Sequence, residues 1–128
     1  MEATIQALDR VITLDAPDDA TWCAAAREAV DAAAATWARH VTGTEAPDGI
    51  LADVVEREPR LVHLVDTLRT EHIEVQALLD QTSAGLRDDD VAVARPAVAE
   101  LSQRLSRHHD RGAEMLHLVY DVDLGGGG

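Results

Sequence analysis

The segment LVHLVDTLRTEHIEVQALL at residues 61–79 decides the fold class of this chain. Its apolar residues recur at intervals of three and four, the spacing that places side chains on one face of an α-helix. That face carries Leu61, Val65, Leu68, His72, Val75 and Leu79. Because a histidine lies within the apolar stripe of this predicted helix, His72 is a candidate functional residue.

Two segments that precede residue 61 show the same helical spacing. Residues 2–13 form a short amphipathic helix with Ile5, Leu8 and Ile12 on one face. A longer helix begins at Asp18 or Asp19, either of which can cap it. The stripe of this second helix consists of Trp22, Ala26, Val30, Ala33, Trp37 and His40.

Glycines and prolines mark the connections between the helices. Gly43 and Pro47 begin a connection in which DGILADVVE, residues 48–56, predicts one or two short turns, and Pro59 is well placed to open the third helix. Gly85 and the acidic run 88–90 end that helix. Pro96 fits the first turn of a fourth helix better than its interior.

The fourth helix completes the predicted fold. Its stripe runs through Val98, Leu101, Leu105, His108 or His109, Gly112, Met115 or Leu116, and Val119. Four amphipathic segments with short loops predict an all-α protein, a single up-down-up-down four-helix bundle over residues 1–122. A glycine-rich flexible tail is expected at residues 123–128.

The composition agrees with this fold class. Apolar residues make up 46% of the 128 residues, but aromatic residues only 2%. The core is therefore built from alanine, valine and leucine, which suit packed helices better than strands.

The charge of the chain excludes several classes of partner. The net charge is −13, and all eleven cationic side chains are arginines. Nucleic acids and anionic membrane surfaces attract basic proteins, so we expect neither as a partner. No apolar run approaches about 18 residues, so no membrane span is predicted. The single Cys23 and the absence of signal-peptide features predict a cytoplasmic protein.

A short internal echo pairs two histidines with two glutamates. HVTGTE at 40–45 and HDRGAE at 109–114 both read His, two residues, Gly, one residue, Glu. IQAL at 5–8 and VQAL at 75–78 lie at similar distances ahead of them, and in this alignment His72 corresponds to Glu2. Either two helical hairpins are related by a pseudo-twofold axis, or two short strings are similar by chance.

The spacing within the echo affects what these residues can bind together. A histidine and a glutamate five residues apart point about 140° away from each other on a regular α-helix. One ligand site for both would need a local distortion. Gly43 and Gly112 lie between the paired residues, where the backbone could unwind or form a π-bulge.

These segments resemble the hemerythrin-like, or HHE cation-binding, family of four-helix bundles. The resemblance rests on His40 with Glu45, on LRTEHIEVQALL around His72, and on HHDRGAE, which contains His109 and Glu114. It covers roughly residues 18–120. It implies a non-haem iron centre inside the bundle and a function in sensing or handling oxygen, peroxide or nitric oxide.

The resemblance also implies a ligand set. By position, His40, His72 and His109 would be terminal ligands, while Glu45 and Glu114 would bridge two metal ions.

The sequence departs from the family pattern in the first and third helices. The first helix contains no histidine, and Gln76 stands where some members have a second histidine. His108 could replace one missing ligand and Glu2 another. One or two iron ions are therefore expected, and manganese or zinc would also suit histidine and carboxylate ligands.

Other interpretations remain open. The bundle could have lost its metal and act as a binding or interaction module, as a homodimer through an apolar helix face. An enzymatic centre that oxidises a small molecule is a third interpretation. Glu114 could pair with His117 on the surface instead of binding metal. The EMLH sequence at 114–117 matches the ferritin-like Glu-x-x-His motif, but only in one copy.

Overall fold

The computed structural model describes residues 1–121, and the regular secondary structure in this part of the chain is helical. The predicted all-α class is confirmed. The predicted tail at 123–128 lies outside the described residues. The five α-helices are α1 (Glu2–Ile12), α2 (Asp19–Thr44), α3 (Ile50–Arg57), α4 (Val62–Arg87) and α5 (Val91–Leu116). A 3₁₀ turn at Pro59–Leu61 precedes α4, and a π-helical turn at His117–Asp121 follows α5.

The helices α1, α2, α4 and α5 contact each other in a ring. Arg27, early in α2, donates hydrogen bonds to the carbonyl oxygen of Leu86, late in α4. Trp37, late in α2, donates to the carbonyl oxygen of His72, in the middle of α4. These two helices therefore run antiparallel. The four helices of the ring enclose a hydrophobic core of side chains.

The core contains the residues that the apolar stripes predict. Trp22 and Trp37 are almost completely buried, and Cys23 is buried in the same cluster. The indole Nε1 of Trp22 donates to the carbonyl oxygen of Val11 at 2.9 Å, which joins α2 to α1. Burial of each valine, leucine or larger apolar side chain stabilises the folded chain by about 1.5–3 kcal/mol relative to leaving it exposed. The stripes thus supply the main attraction between the helices.

A fifth helix, α3, forms where the sequence predicts one or two short turns. Its residues Leu51 and Val54 are buried in a second, smaller core against α4 and α5, with Val65, Leu68 and Met115. On the outside of this core, the Tyr120 hydroxyl donates a hydrogen bond to Asp53, which also accepts one from Arg57. The turn that follows α5 is thereby tied to α3.

The prediction for Pro96 is wrong. Helix α5 begins at Val91, so Pro96 is its sixth residue and lies beyond the first turn. Asp90 caps the helix, because its Oδ1 accepts from the backbone N–H of Val93 at 3.3 Å. Ala94, which is buried, extends the apolar face ahead of the proline. Capping and burial together therefore outweigh the hydrogen bond that Pro96 cannot make.

Both echo segments lie in regular α-helix rather than in a distorted turn, except that Glu45 is the residue that follows α2. Helix α2 continues through Gly43 to Thr44, and α5 continues through Gly112 to Leu116.

Among residues 1–121, no helix combines the length and hydropathy that crossing a lipid bilayer requires.

Candidate metal centre

Three histidines from three helices meet at one place inside the bundle. His40 comes from the last turns of α2, His72 from the middle of α4 and His108 from α5. One ring nitrogen of each lies within 4.8 Å of the others, which is close enough to hold a metal ion. His72 and His108 are 4% and 3% exposed, and His40 is half-buried. Each lies on the apolar stripe of its own helix, so packing of the stripes brings them together.

The spacing of the imidazoles suits shared coordination. Nε2 of His40 is 3.0 Å from Nε2 of His108. Two nitrogens that bind one ion at about 2.1 Å each and at right angles are separated by about 3.0 Å. The same distance also allows a direct hydrogen bond between the rings. The donor set of three imidazoles suits zinc, iron, copper and nickel.

Two glutamates hold the far sides of two of these rings. Glu45 Oε2 lies 2.6 Å from Nδ1 of His72, and Glu71 Oε1 lies 2.8 Å from Nδ1 of His108. Arg111 donates to the other oxygen of Glu71 and fixes that carboxylate. Metal-binding histidines commonly donate their second ring N–H to a carboxylate, which sets the ring orientation and raises ligand basicity. The site therefore contains the supporting contacts of a metal centre as well as its ligands.

These partners determine where the ring protons are. An ionised carboxylate only accepts hydrogen bonds, so Nδ1 of His72 and Nδ1 of His108 each carry a proton. In the neutral rings, Nε2 then has a lone pair. Nε2 of His108 accepts from Nε2 of His40, whereas Nε2 of His72 makes no hydrogen bond within residues 1–121. Binding of one ion by all three Nε2 atoms requires His40 to move its proton to Nδ1.

The environment keeps two of the rings neutral. Burial is the largest cause that lowers the pKa of His40 to about 4, and charge on His108 and on His72 contributes less to the same shift. Burial likewise lowers the pKa of His108 to about 4, with His72 and His109 as weaker causes. Protons therefore do not compete with a metal for these nitrogens near neutral pH.

Trp37 forms one wall of the site. Its ring stacks on His40 at 5.2 Å between centroids and meets His72 and His108 edge-on at 5.4 and 5.0 Å. The indole N–H donates to the backbone of His72, so the ring is fixed in place. One buried aromatic side chain thus restrains all three imidazoles.

The other predicted ligands lie outside the three-histidine group. His109 is one residue past the α5 stripe, and its Nε2 is 3.7 Å from Glu2 Oε1. Glu114 is exposed on the surface of α5. Because α5 is regular, His109 and Glu114 point in different directions, as their five-residue spacing requires. Glu45 lies just past the end of α2, and this allows it to reach His72.

Glu71 is a site residue that the sequence analysis missed. It precedes His72 and lies at the edge of the α4 stripe, three residues after Leu68 and four before Val75. That flanking position next to a stripe histidine is the signal that could have identified it. Its side chain is 13% exposed, so the carboxylate faces α5 rather than solvent.

A cavity of about 200 Å³ opens beside the imidazoles. Leu51, Leu68 and Met115 line it together with the three histidines and His109. The cavity gives a small molecule room next to the three imidazole rings.

Comparison with known proteins assigns no family. No protein-family model matches the chain, and no match was found among curated proteins or solved structures. The functional argument therefore depends on the geometry of the three-histidine group.

Proposed function

We propose that this protein binds one transition-metal ion through Nε2 of His40, His72 and His108. The observation that carries the proposal is the convergence of three imidazoles within 4.8 Å, two of which have a carboxylate on the other ring nitrogen. Such carboxylate contacts are typical of metal-binding histidines. Low pKa values at two of the rings favour the neutral, metal-binding form.

We further propose that the metal is non-haem iron and that the chain is a divergent hemerythrin-like four-helix bundle. The resemblance of the histidine segments to that family supports iron, and the ring of four helices is compatible with such a bundle. Three histidines support a single ion more directly than a pair of ions, since a second ion would need carboxylates in addition. When bound, the ion supplies open coordination positions for oxygen, peroxide or nitric oxide.

The residues of the chain have distinct roles in this proposal. The three imidazoles bind the ion, Glu45 and Glu71 orient two of them, and Trp37 excludes water from one side. The apolar cavity admits a small uncharged ligand. No feature of the site points to a particular organic substrate, so we propose sensing or handling of a small ligand rather than turnover.

Metal content after purification tests the proposal. Protein produced with ample iron should contain close to one iron per chain by elemental analysis. His72→Ala should lose the metal because it removes a buried ligand. His63→Ala changes an exposed histidine on the same helix and should retain it.

Metal-free wild-type protein from cultures supplemented with iron, manganese and zinc would contradict this proposal. If the purified protein contains a different metal at one ion per chain, the proposed metal site stands and only its assignment to iron is wrong.

A second candidate is a metal-free helical module that binds another molecule through its surface. The hydrogen bond between His40 and His108 supports it, because this bond and the two carboxylates give each ring a protein partner. Within the described residues, every side-chain nitrogen or oxygen atom that is itself sealed from solvent has a hydrogen bond. In that case His40→Ala would lower the melting temperature equally with and without a chelator.

A further inference from the structure

A surface groove of about 450 Å³ lies between α4 and α5. Three arginines of α5 line it, namely Arg104, Arg107 and Arg111. Because they are three and four residues apart, their side chains lie on one face of the helix. The whole chain has 11 cationic residues against 24 acidic ones, so this row concentrates much of its positive charge. None of the three histidines of the metal centre lines the groove.

Two of the three arginines hold carboxylates of α4. Nη1 of Arg104 lies 2.9 Å from Oε2 of Glu74, and Nη1 of Arg111 donates to Oε2 of Glu71. The other oxygen of Glu71 contacts His108, so this carboxylate is held from two sides. Both ion pairs join α4 to α5, and they fix the side chains at the floor of the groove.

The third arginine has no such partner. The guanidinium of Arg107 makes neither a hydrogen bond nor an ion pair with any of the residues 1–121. The remaining carboxylate of the groove belongs to Asp66, which lies 3.7 Å from Arg69, outside the groove. Arg107 therefore presents all five of its N–H donors without a protein acceptor.

The charges around Arg107 define the charge of a suitable ligand. A guanidinium is a planar fork of donors that matches the two oxygens of a carboxylate. Asp66 in the groove, and Asp110 and Glu114 beside Arg107, disfavour a second negative charge on the ligand. Most of the chain's other acidic groups act more weakly, because charges beyond about 8 Å are largely screened at physiological salt.

Uncharged groups of the groove suit the rest of a small organic molecule. Val75 is buried beneath the groove, and the hydroxyl groups of Thr67 and Thr70 line it. The Thr67 hydroxyl donates to the carbonyl oxygen of His63, whereas the Thr70 hydroxyl makes no hydrogen bond with the described residues. Thr70 can therefore donate to a bound oxygen. The methylene stems of the arginines add apolar surface.

We propose that the groove between α4 and α5 binds a small organic molecule with one carboxylate group. Arg107 binds the carboxylate, Thr70 donates a further hydrogen bond, and the organic part lies against Val75. This site is separate from the proposed metal centre and does not depend on its occupancy.

Benzoate is the probe that tests this inference. Isothermal titration calorimetry should detect benzoate binding at one site per chain, both in the protein as purified and after treatment with a chelator. Benzamide has nearly the same shape but no charge, and it should bind at least ten-fold more weakly. Phenyl phosphate carries more than one negative charge near neutral pH, and it should also bind more weakly than benzoate.

Two arginine substitutions locate the site. Arg107→Gln removes the unpaired guanidinium and should weaken benzoate binding at least ten-fold. Arg87→Gln is the matched control, because Arg87 is exposed on α4 and its side chain likewise has no partner among the described residues, but it does not line the groove. Arg87→Gln should change the affinity less than two-fold. Both variants lose the same charge at an exposed position, so both are expected to fold.

The outcomes separate this inference from the metal proposal. Absence of benzoate binding, or equal effects of Arg107→Gln and Arg87→Gln, would overturn the groove inference. Binding that disappears with the chelator would place benzoate at the metal and would overturn it as well. Tighter binding of phenyl phosphate or benzamide than of benzoate would contradict the assignment of a single carboxylate. A metal-free protein that binds benzoate through Arg107 would retain the groove and lose only the metal.

Discussion

Neutral imidazoles can pack together only when each ring proton has an acceptor. Glu71 and Glu45 provide two of these acceptors, and His108 provides the third for His40. Glu71 is the more enclosed of the two carboxylates, with 13% of its side chain exposed against 34% for Glu45. Solvent therefore screens the Glu71 carboxylate less. We expect Glu71 to affect its partner His108 more strongly than Glu45 affects His72.

Glu71→Gln should lower metal affinity about 10- to 100-fold, because loss of a carboxylate behind a histidine ligand has effects of this size. Titration of the metal-free protein against a competing chelator measures the change. Glu74→Gln is the matched control, since Glu74 lies on the same helix but pairs with Arg104 instead of a histidine. Equal affinities of wild type and Glu71→Gln would show that Glu71 does not support a ligand.

The lowered histidine pKa values predict how the metal-free protein responds to acid. His40 and His108 have pKa values of about 4 when folded, against 6.5 for an ordinary imidazole. Between these values the unfolded chain binds more protons than the folded chain, so the free energy of unfolding should fall as pH falls from 6.5 towards 4. Glu71 and Arg111 also face His108, with opposite charges.

Urea unfolding at pH 7.5, 6.5 and 5.5 measures this dependence above the range of most carboxylates. His108→Gln should reduce the loss of stability at pH 5.5, whereas His63→Gln, at an exposed position, should leave it unchanged. A metal-free protein equally stable at pH 7.5 and 5.5 would contradict the prediction.

Only part of the site can be predicted from sequence at the scale of single residues. His40 and His72 are predictable because each continues an apolar stripe. His108 and His109 are both candidates, since adjacent residues differ by only about 100° around the helix. Packing against α4 selects His108, and its contact with Glu71 joins residues 37 positions apart. Periodicity along one helix contains no information about such pairs.

At the scale of helices, α3 and α5 differ most from the prediction. Helix α3 has eight residues, too few for local propensity to stabilise it alone, and it depends on burial of Leu51 and Val54. Pro96 indicates a helix start, but the cap at Asp90 starts α5 earlier. The long helices were predictable because their stripes repeat over many turns, whereas their ends depend on contacts between helices.

Pro96→Ala should increase the free energy of unfolding by about 1–3 kcal/mol, because it restores the backbone hydrogen bond to Ala92 and removes the steric conflict of the ring. Pro96 is exposed, so the substitution leaves no cavity. Pro59→Ala is the matched control, because Pro59 opens a 3₁₀ turn where no intrahelical N–H is required. Chemical denaturation compares the two, and an unchanged or lower stability of Pro96→Ala would contradict this explanation.

At the scale of the whole molecule, the metal proposal predicts that stability depends on metal concentration. An ion that binds only the folded chain at 100 times its dissociation constant adds about 2.7 kcal/mol. For a domain of this size the melting temperature should therefore rise on the order of 10 °C relative to chelator-treated protein. Differential scanning calorimetry measures the shift. It should disappear in His40→Ala and persist in His63→Ala, and its absence in wild type would favour the metal-free module.

The wall formed by Trp37 has a consequence for observing this protein. Trp37 contacts all three imidazoles, whereas Trp22 lies 15 residues earlier in α2, about 22 Å away along the helix axis. An open-shell ion at the histidines would quench fluorescence from Trp37 far more than from Trp22. Emission of a Trp22→Phe variant should therefore report occupancy of the site directly, in a chain that contains its own optical probe.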